Sequence, residues 1–145
     1  MKDVFLKTVT RLKTVSALKW IDAEDGQLDF FEGRPPVAFP CALIDVEYPN
    51  CEDESDTIQM VTARVTVRLA FEPVGQTNGA APTLVQTKAL SRYDTVNACY
   101  TALQGWGDGE VSGFSRKSQT TEKRDDNLKV IVQVWETSFE EDSLP

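Results

Sequence analysis

Between Ile58 and Phe71 the sequence reads IQMVTARVTVRLAF, and its side chains alternate in character with a period of two. Val61, Ala63, Val65, Val67, Leu69 and Phe71 fall on one face, and Thr62, Arg64, Thr66 and Arg68 on the other. That is the pattern of a half-buried strand, and its Val and Thr residues suit a pleated surface. The run is longer than the usual strand of about five or six residues. It predicts the central strand of a sheet, long enough to overhang its neighbours.

The flanking segments are read against this strand. Residues 2–20 predict a helix, with Phe5, Val9 and Leu12 at helical spacing, mostly basic residues elsewhere, and Val4, Val15 and Leu18 broadening the apolar face. Residues 21–40 carry Asp25-Gly26, Gly33, Pro35, Pro36 and Pro40, which forbid a continuous helix or central strand. Their Leu28, Phe30, Phe31, Val37 and Phe39 are too apolar for a free linker, so a wrapping connection that packs down on the domain is expected. Residues 41–48 predict a strand paired with the central one, residues 49–57 its acidic hairpin tip, and residues 72–83 a mobile loop. A second helix is expected from a capping box at Ser91 and Asp94, with Tyr93, Val96, Tyr100 and Leu103 as its stripe, ending at Gly105. A last hairpin pairs residues 111–123 with 128–139, the latter strand being apolar on both faces.

The expected fold class is therefore α+β: one domain over residues 1–145, with an antiparallel sheet of about four strands and two helices on one face, in the order α-β-β-α-β-β. The second face of the sheet is expected to be partly wet or covered by a partner. A chain of 145 residues buries roughly 70% of its unfolded surface, so it needs no staple. Three cysteines, Cys41, Cys51 and Cys99, in no metal or redox spacing are read as reduced thiols. Lys2, Lys7, Arg11, Lys13 and Lys19 interrupt the N-terminal apolar residues, so no signal peptide is expected, and no run approaches the ~20 apolar residues of a membrane span.

The chain contains no histidine, which removes the commonest general base, the usual partner of a Ser or Cys nucleophile and the commonest zinc ligand. No catalytic residue, metal site or cofactor is expected. Gly105-Trp106-Gly107-Asp108-Gly109 follows a helix, whereas a phosphate-cradling loop follows a strand, so it is read as a turn. Glu52, Asp53, Glu54 and Asp56 lack the glycine and terminal bidentate Glu of a calcium loop and are read as a solvated charge run. The net charge of -8 disfavours binding to nucleic acid or to an anionic membrane surface. A basic first helix and an acidic tip are complementary patches, and such patches suit head-to-tail contacts between copies. Lys7, Arg11, Trp135 and Phe139 are accordingly the expected subunit interface. Glu52, Asp53, Glu54 and Asp56 are the expected docking or lumen surface.

Taken together these stretches resemble the tail terminator proteins of long-tailed bacteriophages and prophages. The resemblance is carried by the N-terminal helix ending near Trp20-Ile21-Asp22, by Gly26-Gln27, and by Arg34-Pro35-Pro36-Val37-Ala38-Phe39-Pro40-Cys41 leading into the first strand. Leu103-Gln104-Gly105-Trp106 after the second helix and Trp135-Glu136-Thr137-Ser138-Phe139 in the last strand complete it. It implies helices on one side of an antiparallel sheet, and a ring, typically of six copies, that caps the tail tube and docks to the head connector. Its implied partners are other copies of itself, the tail tube protein and the head–tail connector protein. The implied location is the tail or neck of a virion, after assembly in the bacterial cytoplasm, with neither enzymatic activity nor cofactor. Two alternatives stand beside it: another head–tail joining protein of the neck, and a small ligand-binding or regulatory domain using a cleft between Tyr93, Tyr100 and the wrapping loop.

Overall fold

The first helix, α1 (Lys2–Leu12), stops well before Trp20 in the computed structural model, which describes residues 1–73 and 78–144. The Thr14 hydroxyl donates to Arg11 O at 2.6 Å, and Val15 N and Leu18 N close tight turns onto Leu12 O and Val15 O. Such local bonds offer the backbone an alternative to the helical ladder. They also explain why Val15 lies off the helical stripe: it reaches the core from a turn. The buried row of α1 is Val4, Thr8 and Leu12, with Phe5 and Val9 packed at its flank.

The chain then forms a strand that the sequence pattern had not revealed, β1 (Trp20–Ala23), followed by β2 (Cys41–Asp53) and β3 (Ile58–Phe71). After α2 (Thr83–Leu103) come β4 (Ser115–Thr121) and β5 (Lys129–Asp142). Among the described residues the sheet has five strands in the order β1-β2-β3-β5-β4. It is mixed, not wholly antiparallel: β1 runs parallel to β2, with Trp20 opposite Cys41 and Ala23 opposite Ile44. A parallel pair needs a long crossover, and residues 24–40, which remain of the expected wrapping connection over residues 21–40 once its start joins β1, are that crossover. The expected four-stranded antiparallel sheet and its element order are corrected to this extent.

β3 is central as its alternation predicts, pairing along its whole length with β5 and with β2 on its other side. β2 runs on past Tyr48 through a bulge between Glu47 and Asn50, which accommodates Pro49. The hairpin tip is therefore confined to residues 54–57. α2 starts at Thr83, directly after Pro82, so Ser91 is not a cap; its hydroxyl bonds back to Lys88 O at 2.6 Å within the helix. Of residues 72–83, expected to be a mobile loop, 74–77 lie outside the described residues.

Both faces of the sheet are covered over part of their area. Ile44, Val65, Val67, Leu69 and Trp135 meet Leu12, Val96, Cys99 and Leu103 from the helices in the larger core. On the opposite face Cys41, Leu43, Ala70 and Val130 meet Leu28 and Val37 of the crossover. The chain itself seals much of the face expected to be wet or covered by a partner.

Candidate functional site

Beside the start of α1, β2, β3 and the end of β5 continue as a three-stranded arm. Its register sets Met60 between Glu52 and Glu140, Gln59 between Asp53 and Glu141, and Ile58 beside Asp142. The exposed Glu52, Asp53, Glu54 and Asp56 are thus joined by Glu140, Glu141 and Asp142, which the sequence reading missed. That run of three acids is visible in the sequence, but only antiparallel pairing brings it to the tip. The neighbouring Glu140 carboxyl holds the Glu54 carboxyl above its ordinary range. Asp53 accepts from Gln59 Nε2 at 3.0 Å and Glu52 from Asn50 Nδ2 at 3.2 Å. Among the described residues no three carboxylates converge in a geometry that would hold a metal ion.

The basic side of α1 is used within the subunit. Lys7 Nζ donates to Asp108 at 2.6 Å and lies 3.5 Å from Glu110. Arg11 Nε donates to Ala102 O at 2.9 Å, with its guanidinium 5.5 Å from the Trp106 ring. Together they staple α1 to the end of α2 and to the glycine-rich turn. The hydrogen bond from Lys7, with the Val111 and Glu110 backbone N–H groups, brings the Asp108 carboxyl down to about 2. The turn folds back tightly, so that a Cβ on Gly107 would meet the backbone of residues 111–113 at 2.8–2.9 Å.

Trp135 is wholly buried, with its ring 6.1 Å from that of Tyr100. Its strand lies between β3 and β4 and is not an edge. As a subunit-interface residue Trp135 is therefore corrected to a core residue: the apolar second face of its strand serves the subunit's own two cores. Phe139 is half-buried, its ring edge-on to Tyr48 at 5.5 Å. Of the four residues expected at an interface, only Lys7 and Phe139 share a surface, an open groove of about 490 Å³ beside Met1, Val4 and Glu110.

A partly buried charge network holds the crossover to the sheet. Arg68 donates to Glu122 from Nε at 2.7 Å and from Nη2 at 2.8 Å, and from Nη1 to Glu24 and, at 3.1 Å, to Asp29. Arg124 bonds Asp126, Glu122, Asp29 and the Leu28 carbonyl. Burial pushes the Asp29 and Glu122 carboxyls up, but hydrogen bonds from Arg68 and Arg124 outweigh it and hold both below their ordinary range. Arg68, whose alternation placed it on the outer face, is a clamp, whereas Arg64 makes a solvent-exposed pair with Glu47 at 3.7 Å.

The first turns of α2 expose several large apolar side chains. Leu84 is 86% exposed, and Val85, Leu90 and Tyr93 are also open to solvent. The expected cleft between Tyr93, Tyr100 and the wrapping loop does not form. Tyr100 packs on Trp135 with the Arg116 guanidinium 4.0 Å from its ring, while the crossover lies on the other face of the sheet. A groove of about 180 Å³ does open between Phe39, Pro40, Phe71, Lys88 and Arg92, without either tyrosine. It is smaller than the ~300–1,000 Å³ of typical small-molecule sites. Cys41 and Cys99 are buried, their thiols pushed up to about 11 and about 12 by that burial, and Cys51 is exposed; all three are free.

No protein-family model and no curated protein matches the chain. Among solved structures, a chain from the virion of a native gene transfer agent particle is similar in fold, with a TM-score of 0.55, 12% sequence identity, and 92% of each chain covered. At that identity the likeness is one of fold. The same arrangement of strands and helices is thus found in a component of a virion. Among the described residues, no helix is long and apolar enough to cross a membrane.

Proposed function

We propose that this chain is a structural protein of a phage-like particle, a tail terminator that forms a ring, of six copies, capping the tail tube and docking to the head connector. The observation that carries the reading is the fold shared end to end with a virion chain, across 92% of both. The sequence stretches that resemble tail terminators span the same elements and support the finer assignment. In this reading the protein is not an enzyme, binds no cofactor, and works in the tail or neck of a virion after assembly in the bacterial cytoplasm. The acidic arm faces a neighbour or the lumen, where a net charge of -8 keeps passing DNA from sticking.

Native mass spectrometry over a concentration series, with electron microscopy of the purified chain alone and mixed with tail tubes, tests this. Closed rings of six, or density capping one end of the tubes, is the expected result. A chain that remains monomeric and leaves tube ends bare overturns it.

A further inference from the structure

The two ends of the molecule differ in charge, and each carries apolar side chains wholly or partly open to solvent. At one end the exposed Leu84, Val85, Leu90 and Tyr93 are flanked by Lys88, Arg92 and Lys129. Tyr93 lies between two of these cations, 5.5 Å from Arg92 and 5.8 Å from Lys129. Among the described residues the ion pairs are made by Lys7, Arg64, Arg68 and Arg124. Among the described residues Lys88, Arg92 and Lys129 join none, although Glu72 lines the groove beside the first two. Arg92 Nε is enclosed and has no hydrogen-bond partner among the described residues. Leu84 and Val85 share a helix face with Lys88 and Arg92, whereas Leu90 and Tyr93 turn to the adjoining side, and large apolar side chains exposed beside cations in this way mark an interaction surface.

At the other end the arm carries the half-buried Ile58 and Met60 on one face, flanked in register by Glu52, Glu140 and Asp142. Ile58 and Phe71 terminate β3, with Asp142 beside the first and Lys129 beside the second. At about 3.4 Å per residue the two ends stand roughly 40 Å apart, so they cannot meet within one copy.

We infer that the cationic, apolar start of α2 is the docking surface for the acidic arm of a second copy, with Met60 and Ile58 set against Leu84 and Val85 beside Lys88 and Arg92, inside a rim of opposite charges. The inference rests on the ring reading and names its contact. An apolar centre with a complementary charged rim is the usual anatomy of a specific interface. Because the two surfaces differ, the contact is heterologous, the kind that closes a ring when the rotation per subunit allows.

The test uses two charge-reversed proteins, Lys88→Glu with Arg92→Glu, and Glu52→Lys with Glu140→Lys. Each is examined alone and mixed, by native mass spectrometry and sedimentation up to about 1 mM, with urea midpoints as the folding control. The expected result is that the wild-type chain associates and each variant alone does so about a hundredfold more weakly. The mixture should restore assembly with the two variants alternating in one-to-one ratio, because the reversed pair of surfaces and the unreversed pair both match. Variants that assemble like wild type, or a mixture that stays monomeric, overturn the inference while leaving the ring reading intact. A wild-type chain that caps tubes yet never self-associates also overturns it, and failure of both self-association and capping removes the ring reading as well.

Discussion

Replacing Arg68 by Met separates the charge clamp from the hydrophobic packing of the crossover. Methionine keeps the aliphatic stem of the side chain and removes the guanidinium. Arg68 is 12% exposed in its side chain, against 19% for Glu24, 27% for Glu122 and 41% for Asp29. A hydrogen bond to a charged group contributes about 1.5–3 kcal/mol. The two-pronged contact with Glu122 and the bond to Glu24 count near that range, while the bond to the more exposed Asp29 is discounted for solvent screening. Allowing water to rehydrate the released carboxylates leaves a loss of about 3 kcal/mol, the lower end for a broken buried pair. For a chain of this length that is a fall in Tm of roughly 10 °C, or about 1.5 M in urea midpoint with an unchanged slope. The pH dependence should change too. Asp29 and Glu122 titrate below their ordinary values, so their contribution is present above those values and is lost as pH falls through the lowered folded ones. Arg68→Met should flatten that loss below about pH 5, leaving the share due to Arg124. Urea unfolding followed by tryptophan fluorescence from pH 3 to pH 8 measures both effects. A loss under about 1 kcal/mol, no more than an exposed ion pair yields, with the acid slope intact, would refute the clamp.

Three further outcomes follow from the geometry. Trp135→Ala should cost about 3–5 kcal/mol in urea unfolding, because the whole indole is buried. Trp135→Phe should cost clearly less, since the indole N–H it removes has no partner. Gly107→Ala, which drives a methyl group into the backbone of residues 111–113, should cost about 1–3 kcal/mol, whereas Gly109→Ala, with nothing within 4 Å, should stay within about 0.5 kcal/mol. Asp108→Asn should keep the backbone acceptor of the turn and lose the ion pair with Lys7. Its carboxyl is held at about 2 against an ordinary 3.8, so wild type should lose stability relative to the variant as pH falls through that interval, seen in parallel acid titrations by circular dichroism.

The elements that could be read from the sequence were those whose periodicity is strong enough to survive without tertiary context. β3 is one: every second residue from Val61 to Phe71 is apolar, and burial follows that alternation. The helix ends were misread where local hydrogen bonding competes with pattern. Val15 and Leu18 extend the apolar spacing of α1, but Thr14 ties up Arg11 O, and the Ser91 hydroxyl turns inward to its own helix. β1 has only four residues, too few to establish a period, and it exists because the crossover returns β2 alongside it. The clamp was beyond reach for a related reason. Arg68 and Glu122 are 54 residues apart, and only the pairing of β3, β5 and β4 joins them. Among the surface residues, the acidic tip was half legible, its other half arriving with β5. The basic character of α1 was legible, but its partners at Ala102, Asp108 and Glu110 were not.

The continuous pairing of β3 with β5, from Ile58 beside Asp142 to Phe71 beside Lys129, also has a mechanical consequence. A pull applied between the arm and the far end of the sheet acts along these strands, so the cross-strand hydrogen bonds are strained in shear and share the force. A pull across the sheet at β4 would instead open its ladder one pair at a time. The molecule is therefore stiff along its long axis and compliant at its β4 edge, and an assembly that holds it by its two ends loads it in its strongest direction.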